Sequence, residues 1–378
     1  MQIYHLMNKE QALLSFYITE EYGEKTAYQD ERFVHPSLLP VGFTDIQSWL
    51  NQRNIAKHKT HLRRWLKEWQ IDDLEGFIQI THGLSLNDCF WIRAEDSKLH
   101  WQEINLYTND FSDIVSRTAF ETGLHGLKLS STSPEFTSEG SFEKCWIREP
   151  DGIYLYKKGS SGFANSGLEP YSEYYASQIA RVLCRESVDY DLIKYKGALV
   201  SKCRMFTSEK EGFVPFYKYT PDKSTVRYRE VIEFCERYHC ADDFKNMIVL
   251  DSIIWNQDRH LGNFGFIVDN ETQKILRFVP VFDHNMSLLS RAMKQDLWDG
   301  FERYIRDLDP GHKLGGDFLP VGASMITDDL IDKLESFRQF ELIPHEKYNL
   351  PGSRLRFLNE LIQKQAENLL KIKRRNIC

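Results

Sequence analysis

The sequence predicts an α+β chain in two lobes, a small β-rich lobe followed by a larger helical one, with an accessory region in front. Three observations predict this. At 378 residues the chain is long enough for two packed bodies. Strand-like runs and hairpin turn signals concentrate between Lys144 and Phe206, and from Tyr228 to Arg374 the apolar residues recur mainly at helical spacing. The expected division is 1–127 for the accessory region, 128–206 for the β-rich lobe and 207–378 for the helical lobe.

Composition narrows the class. Hydrophobic residues make up 42% and charged residues 27%, an ordinary globular balance that argues against disorder, and aromatics reach 13%, so the core is rich in Phe, Tyr and Trp. A net charge of −7 and a pI near 6.0 give no general electrostatic reason to bind nucleic acid. Seven cysteines, odd in number and without a Cys-x-x-Cys pair, read as reduced thiols, and His239 beside Cys240 is not enough for a zinc site. The N-terminal residues lack a basic stretch followed by an apolar run, and no apolar stretch approaches the ~20 residues of a membrane span. The expectation is a cytoplasmic protein with no membrane partner.

In the accessory region, Gln2–Leu6 reads as a strand, followed by a mixed segment to Pro36 and Pro40. Phe43-Thr44-Asp45 opens a helical run through Ile46, Trp49, Leu50 and Ile55, with Thr44 or Asp45 as its cap. A second amphipathic stretch carries Leu62, Trp65, Leu66 and Trp69 on one side and Lys59, Arg63, Arg64 and Lys67 around it. Its basic residues read as a solvated face, since no recognition helix with the right turn follows. A further helix and short strands follow, at Phe77–His82, Cys89–Ile92 and Leu99–Tyr107, with Trp91 and Trp101 flanking a hairpin.

The β-rich lobe opens with a loop of small residues, Ser130 to Ser141, which contains Thr137, Ser138 and one glycine, Gly140. Lys144–Arg148 and Ile153–Lys157, joined by Pro150-Asp151-Gly152, read as a hairpin. Lys157 closes the second strand on the face of Leu155, and Lys158 points to the opposite face. A helix then opens at Pro170, with Ser172 as its cap, Glu173 in its first turn, and Tyr175, Ile179 and Val182 on its buried stripe. Two more strands, Tyr190–Tyr195 and Ala198–Phe206, lead to Cys203–Thr207 at the junction with the helical lobe.

The helical lobe reads as helices at 228–240, 242–255, 325–340 and 354–374, the last ending in basic residues that suit a helix C-terminus. The stretch around which the chain is organised follows the second of these. Asn256-Gln257-Asp258-Arg259-His260-Leu261-Gly262-Asn263 lies between that helix and the strand Phe264–Val268, and Val281-Phe282-Asp283-His284 comes next. Phosphoryl transfer needs a carboxylate to accept the proton of an attacking hydroxyl. It also needs an amide oxygen and a second carboxylate for a divalent cation, the amide five residues after the base. Asp258, Asn263 and Asp283 meet that pattern, with Arg259 and His260 orienting the loop. The same chemistry needs a cation on the nucleotide phosphates, pinned by a carboxylate from the next helix. Lys157 and Glu173 are the preferred pair, and Lys158 is the alternative. On this reading Gly140 and Ser138 belong to the loop over the phosphates, and Cys203–Thr207, with Cys203 and Phe206 in it, form the hinge whose backbone meets the adenine. ATP and Mg2+ are the expected cofactors, in a two-lobed protein-kinase-like fold. Asp283 is followed by His284-Asn285 in place of Phe-Gly, and no Ala-Pro-Glu segment follows, so the eukaryotic loop switch is not expected.

Asn-Gln-Asp-Arg-His-Leu-Gly-Asn-Phe followed by Pro280-Val281-Phe282-Asp283, with Ser172-Glu173-Tyr174-Tyr175 upstream, resembles the HipA-like kinases, bacterial Ser/Thr kinases best known as toxins of toxin–antitoxin modules. The resemblance runs from about Lys128 to the C-terminus. It implies an ATP-dependent kinase acting on a protein Ser or Thr hydroxyl, with an antitoxin encoded by a neighbouring gene and DNA reached only through that partner. It also implies autophosphorylation in the phosphate loop, where Thr137, Ser138 and Ser141 are the candidates. Phosphoinositide kinases share the Asp-Arg-His order, so a lipid or small-molecule kinase is the second reading. A non-catalytic nucleotide-binding regulator is the third, motivated by the basic stretch Lys59–Lys67 and the single-glycine loop.

Overall fold

A computed structural model of the protein describes residues 2–21, 24–53, 74–110, 144–162, 166–220, 226–298 and 301–375. The phosphate-loop candidates Thr137, Ser138, Gly140 and Ser141 and the basic stretch Lys59–Lys67 lie outside the described residues. The chain forms two compact units. One comprises Met1–Tyr156, Met205–Val214 and Ile267–Leu276, and the other Lys157–Arg204, Pro215–Phe266 and Arg277–Cys378.

The first unit is built on strands β1 (Ile3–Asn8), β2 (Gln11–Glu21) and β3 (Glu24–Val34), helices α1 (Ile46–Arg53) and α2 (Leu74–Thr81), and strand β4 (Phe90–Ala94). The four strands make an antiparallel sheet of order β3-β2-β1-β4. Successive side chains of a strand point to opposite faces, and here both faces are covered. Leu6, Phe90 and Ile92 enter one core with Phe16, Trp49, Leu50 and Phe77, while Met7 and Trp91 enter a second with Trp101, Leu106 and Ile153. Asp45 caps α1, its carboxylate accepting the Ser48 N–H at 2.7 Å. The sequence reading missed β2 and β3. It read a helix ahead of Cys89–Ile92, where α2 lies, but took Leu99–Tyr107 as a strand, where the chain forms the short helix α3 (Trp101–Ile104). No hairpin joins Trp91 to Trp101, because β4 pairs with β1. Strands β5 (Lys144–Glu149) and β6 (Gly152–Lys158) follow as expected.

The second unit starts at Lys157. Helix α4 (Glu169–Leu183) carries Pro170 in its first turn, where the missing N–H costs nothing. Ser172 is not its cap. Its buried hydroxyl is 2.7 Å from His284 O and 2.8 Å from Ser287 O, so it ties α4 to the segment after Asp283. Strands β7 (Tyr190–Tyr195) and β8 (Ala198–Arg204) form a two-residue hairpin. Lys196 and Gly197 both take positive φ, as a turn matching the strand twist requires. Beyond β9 (Glu211–Pro215) come α5 (Tyr228–Glu236) and α6 (Ala241–Ile254), then β10 (Gly265–Asp269) and β11 (Ile275–Phe278). Short helices α7 (Lys294–Trp298), α8 (Phe301–Leu308), α9 (Phe318–Met325) and α10 (Asp328–Ser336) lead to α11 (Gly352–Arg375). Helix α6 is the axis of this unit, with Phe244, Met247, Ile248, Leu250, Ile253 and Ile254 all buried. Helix α9 lies close against it at Gly322, where a Cβ would stand 2.7 Å from the Ser252 Cβ and 2.9 Å from Leu369. Trp255 ends α6 in the left-handed region (φ 54°), its ring stacked near Phe301 and Phe318, and turns the chain into the loop that follows.

His312 packs inside this core, 3.0 Å from the Ser252 hydroxyl and edge-on to Phe318. Burial lowers its pKa to about 4. The unfolded chain therefore takes up the proton first as pH falls. The neutral ring contributes stability that is complete above pH ~6.5 and lost on the way down to about pH 4. Replacing His312 with Gln should remove roughly 3 kcal/mol of the acid-side decline in unfolding free energy over that window. Urea titrations of both proteins at pH 7 and pH 4.5 measure this, and parallel declines would refute it.

Candidate active site

The loop after α6 is shaped by backbone bonds that a short polar sequence can make. Asn256 Oδ1 accepts the Asp258 N–H at 3.2 Å, Asp258 O accepts the His260 N–H at 2.8 Å, and His260 O accepts the Asn263 N–H at 2.9 Å. The Asn263 amide donates through Nδ2 to Asp258 O at 3.0 Å, which leaves its oxygen out of that bond. Asp258 is half-buried, Asn263 is buried and His260 is exposed, its Nδ1 accepting the Gly262 N–H at 3.0 Å. A Cβ at Gly262 would stand 2.9 Å from that exposed imidazole, which would have to swing aside.

Arg259 points the other way, into the core, with 1% of its surface exposed. Its Nε donates to Asp251 Oδ2 at 2.9 Å and its Nη2 to Asp251 Oδ1 at 3.1 Å, a two-pronged pair that matches the guanidinium fork to a carboxylate. Its Nη1 donates to Asn263 O at 2.9 Å and to Phe282 O. One side chain thus holds the backbone beside Asn263 and the backbone beside Asp283. Asn256 Nδ2 repeats the link, donating to Asp251 Oδ1 at 3.0 Å and reaching Asp283 O at 3.4 Å. Arg259 is committed to backbone and to Asp251, so it positions the loop and the Asp283 segment.

The second cluster joins β6, α4 and the residues after β11. Lys157 Nζ donates to Glu173 Oε1 at 2.9 Å and also to Asp283 Oδ1, while Glu173 Oε2 accepts the His284 N–H at 3.0 Å. Asp283 has φ 60°, a left-handed conformation that costs a non-glycine residue of order 1 kcal/mol or more. Its N–H donates to the Tyr190 hydroxyl at 3.1 Å. Burial pulls the Lys157 ammonium pKa down, but the Asp283 and Glu173 carboxylates outweigh it and hold the group charged. Burial raises the Glu173 carboxyl, with Lys157 opposing. Burial and the nearby Arg259 keep the His284 ring well below the ordinary histidine value.

Cys203 is buried, and desolvation followed by the Glu173 charge pushes its thiol up to about 12, so it is inert wall. Phe206 belongs to the first unit, edge-on to Phe213 at 5.8 Å. Sequence reasoning did not single out Asp251, Asn256 or Tyr190 as contributors. For Asp251 a signal existed: it is the one acid on the stripe Phe244, Met247, Ile248, Ile254, and a charge there demands a partner.

Breaking a buried pair strands the surviving charge, at about 3–5 kcal/mol. Asp251→Asn keeps the shape and leaves the Arg259 guanidinium without its counter-ion. It should lower the urea-derived unfolding free energy by about that much, and a loss below ~1 kcal/mol would show that the pair does not organise the unit.

Neither a protein-family model nor a curated protein sequence matches the chain. Solved structures do. The crystal structure of the Helicobacter pylori proinflammatory kinase CtkA is 18% identical, with a TM-score of 0.47, over 64% of this chain and 93% of that one. In the Shewanella oneidensis MR-1 toxin–antitoxin system, solved as HipA, HipB and its operator DNA, a chain matches at 8% identity and a TM-score of 0.51, over 98% of this chain and 99% of that one. The fold of this chain is the HipA-like kinase fold, with helices and several antiparallel sheets.

Proposed function

We propose that the chain is an ATP- and magnesium-dependent Ser/Thr protein kinase of the HipA-like type. The observation that carries this reading is the ion triad of Lys157, Glu173 and Asp283, with Arg259 clamping the backbone at Phe282 to the backbone at Asn263. The donors fit the cofactors: a carboxylate at Asp283 and an amide oxygen at Asn263 are the hard oxygen ligands that magnesium takes, and the Lys157 ammonium is a charged donor suited to phosphate. Bound ATP and magnesium would supply the transferable phosphoryl group and its countercharge. Lys157 binds and orients the phosphates, Glu173 keeps the ammonium in place, Asn263 and Asp283 hold the cation, and Asp258 receives the proton of the attacking hydroxyl. Arg259 and His260 support the loop.

The HipA of the similar complex was solved with HipB and operator DNA. By analogy the partner of this chain is an antitoxin, DNA is met through that partner, and the chain is a toxin acting in the cytoplasm. The net charge of −7 gives no electrostatic attraction to an anionic membrane surface, which lowers the lipid-kinase alternative.

A positioned general base contributes ~100- to 10,000-fold. Asp258→Ala should therefore cut transfer from labelled ATP to protein in a cell lysate at least ~100-fold while nucleotide still binds. Undiminished transfer removes Asp258 from the role, and label found only in lipid vesicles favours a lipid kinase. The second expectation is autophosphorylation at Thr137, Ser138 or Ser141. A phosphate adds about −1.5 to −2 charges and is repelled by those of ATP, so the modified loop should bind nucleotide more weakly. Mass spectrometry after incubation with Mg-ATP should find a phosphate within 130–144. A modified protein that binds ATP as tightly as before would refute the mechanism.

A further inference from the structure

The triad carries an inference about the order in which the site fills, one that rests on the phosphotransferase reading. Lys157 is paired with two carboxylates at once, and Asp283, the cation ligand of that reading, is one of them. The three partners differ in freedom. Glu173 is 1% exposed and spends its second oxygen on the His284 N–H. Asp283 has its backbone fixed on both sides, its N–H on the Tyr190 hydroxyl and its carbonyl facing Asn256 Nδ2. Arg259 holds the preceding carbonyl, that of Phe282. The carboxylates belong to the frame. The lysine hangs on a four-carbon stem with rotatable donors and is the member able to move.

We propose that Lys157 is the resident counter-ion of Asp283 in the nucleotide-free chain, so that a divalent cation gains Asp283 only once the phosphates of a nucleotide have drawn the ammonium away. Electrostatics requires the sequence of events. A divalent ion arriving at Asp283 meets an ammonium already in contact with the same carboxylate, and like charges at contact repel strongly in a partly desolvated site. A polyphosphate reverses the balance, because it offers Lys157 a competing set of anionic oxygens while Glu173 retains the stem end near its present position. Loading is then nucleotide first, or nucleotide and cation together, and the cation alone is held only weakly. Lys157 acts as a gate on the cation position as well as a phosphate ligand.

The test reads cation binding directly. Mn2+ alone, titrated without nucleotide and followed by electron paramagnetic resonance, should bind wild type weakly. Lys157→Met, with the ammonium gone and both carboxylates present, should bind Mn2+ at least about tenfold more tightly, the scale of effect an adjacent unit charge exerts on a carboxylate. Adding Asp283→Asn to that variant should abolish the gain. No gain in Lys157→Met, with a circular dichroism spectrum like that of wild type, overturns the proposal. Should that variant not fold, wild type alone decides. Mn2+ must bind at least about tenfold more tightly with a non-hydrolysable ATP analogue than without it, and equal affinities overturn the proposal. The phosphotransferase reading fails separately, if the analogue does not bind at all, whereas the Lys157→Met comparison uses no nucleotide and still judges the counter-ion.

Discussion

The pair between Arg259 and Asp251 is the interaction on which the rest of the site depends. Two charges this deeply buried are costly to remove from water, and their attraction offsets that only when every remaining donor is also satisfied. Here the condition is met by the active-site backbone: Arg259 Nη1, not used by Asp251, goes to the carbonyls of Asn263 and Phe282. The need to satisfy a buried guanidinium and the need to hold two loops together have one solution. Helix α6 supplies the anchor because its other buried positions, Ser252 apart, are apolar and packed, which fixes Asp251 on a rigid element.

From that anchor the geometry spreads along the chain after β11. Asp283 takes a strained left-handed backbone, and the bonds from Tyr190, Asn256 and Arg259 account for its persistence. The strain has a use. A turn at Asp283 sends its carboxylate to Lys157 while the next N–H, that of His284, goes to Glu173. Helix α4 is therefore held at its first turn by Glu173 and by Ser172, both bonded to the segment that carries Asp283. The positions of both Lys157 partners, Glu173 and Asp283, are set by one local structure.

The candidate site residues could be named because phosphoryl transfer, the chemistry proposed for them, dictates residue type and spacing. Asp258, Asn263, Asp283, Lys157 and Glu173 could all be named from sequence, and the structure joins the last three in one cluster. What was not legible was the support. Tyr190 meets Asp283 across 93 positions of sequence, and no local pattern announces such a contact. Ser172 looked like a cap because Ser near a helix start usually is one, yet its hydroxyl serves a tertiary bond. In the first unit, β3 escaped notice because it is an edge strand rich in charged and polar residues, which hide the alternation. The short helix at Trp101 was lost to the strand preference of its aromatic neighbours. Glu103 does reach back to the His100 N–H at 2.8 Å, but with His in place of Ser or Thr at the cap the sequence carries no capping-box signature.

These bonds also bear on how such a site could be regulated. A kinase can be switched by swinging the helix that carries the lysine's partner, or by releasing the segment that carries the cation ligand. Here α4 has a second restraint further along the helix. Gln178 exchanges two bonds with the backbone of Ile343, at 2.8 and 3.0 Å, and the Tyr175 hydroxyl donates to Asn349 at 3.0 Å. Moving α4 would break these contacts together with the Glu173 and Ser172 bonds, each bond worth of order 1 kcal/mol. Releasing Asp283 would expose the buried Arg259 to the loss of a partner. Within this unit both switching motions work against several bonds at once, whereas displacing the Lys157 ammonium from Asp283 breaks one. The element best suited to respond to a ligand is a side chain, and the backbone around it serves as the fixed frame.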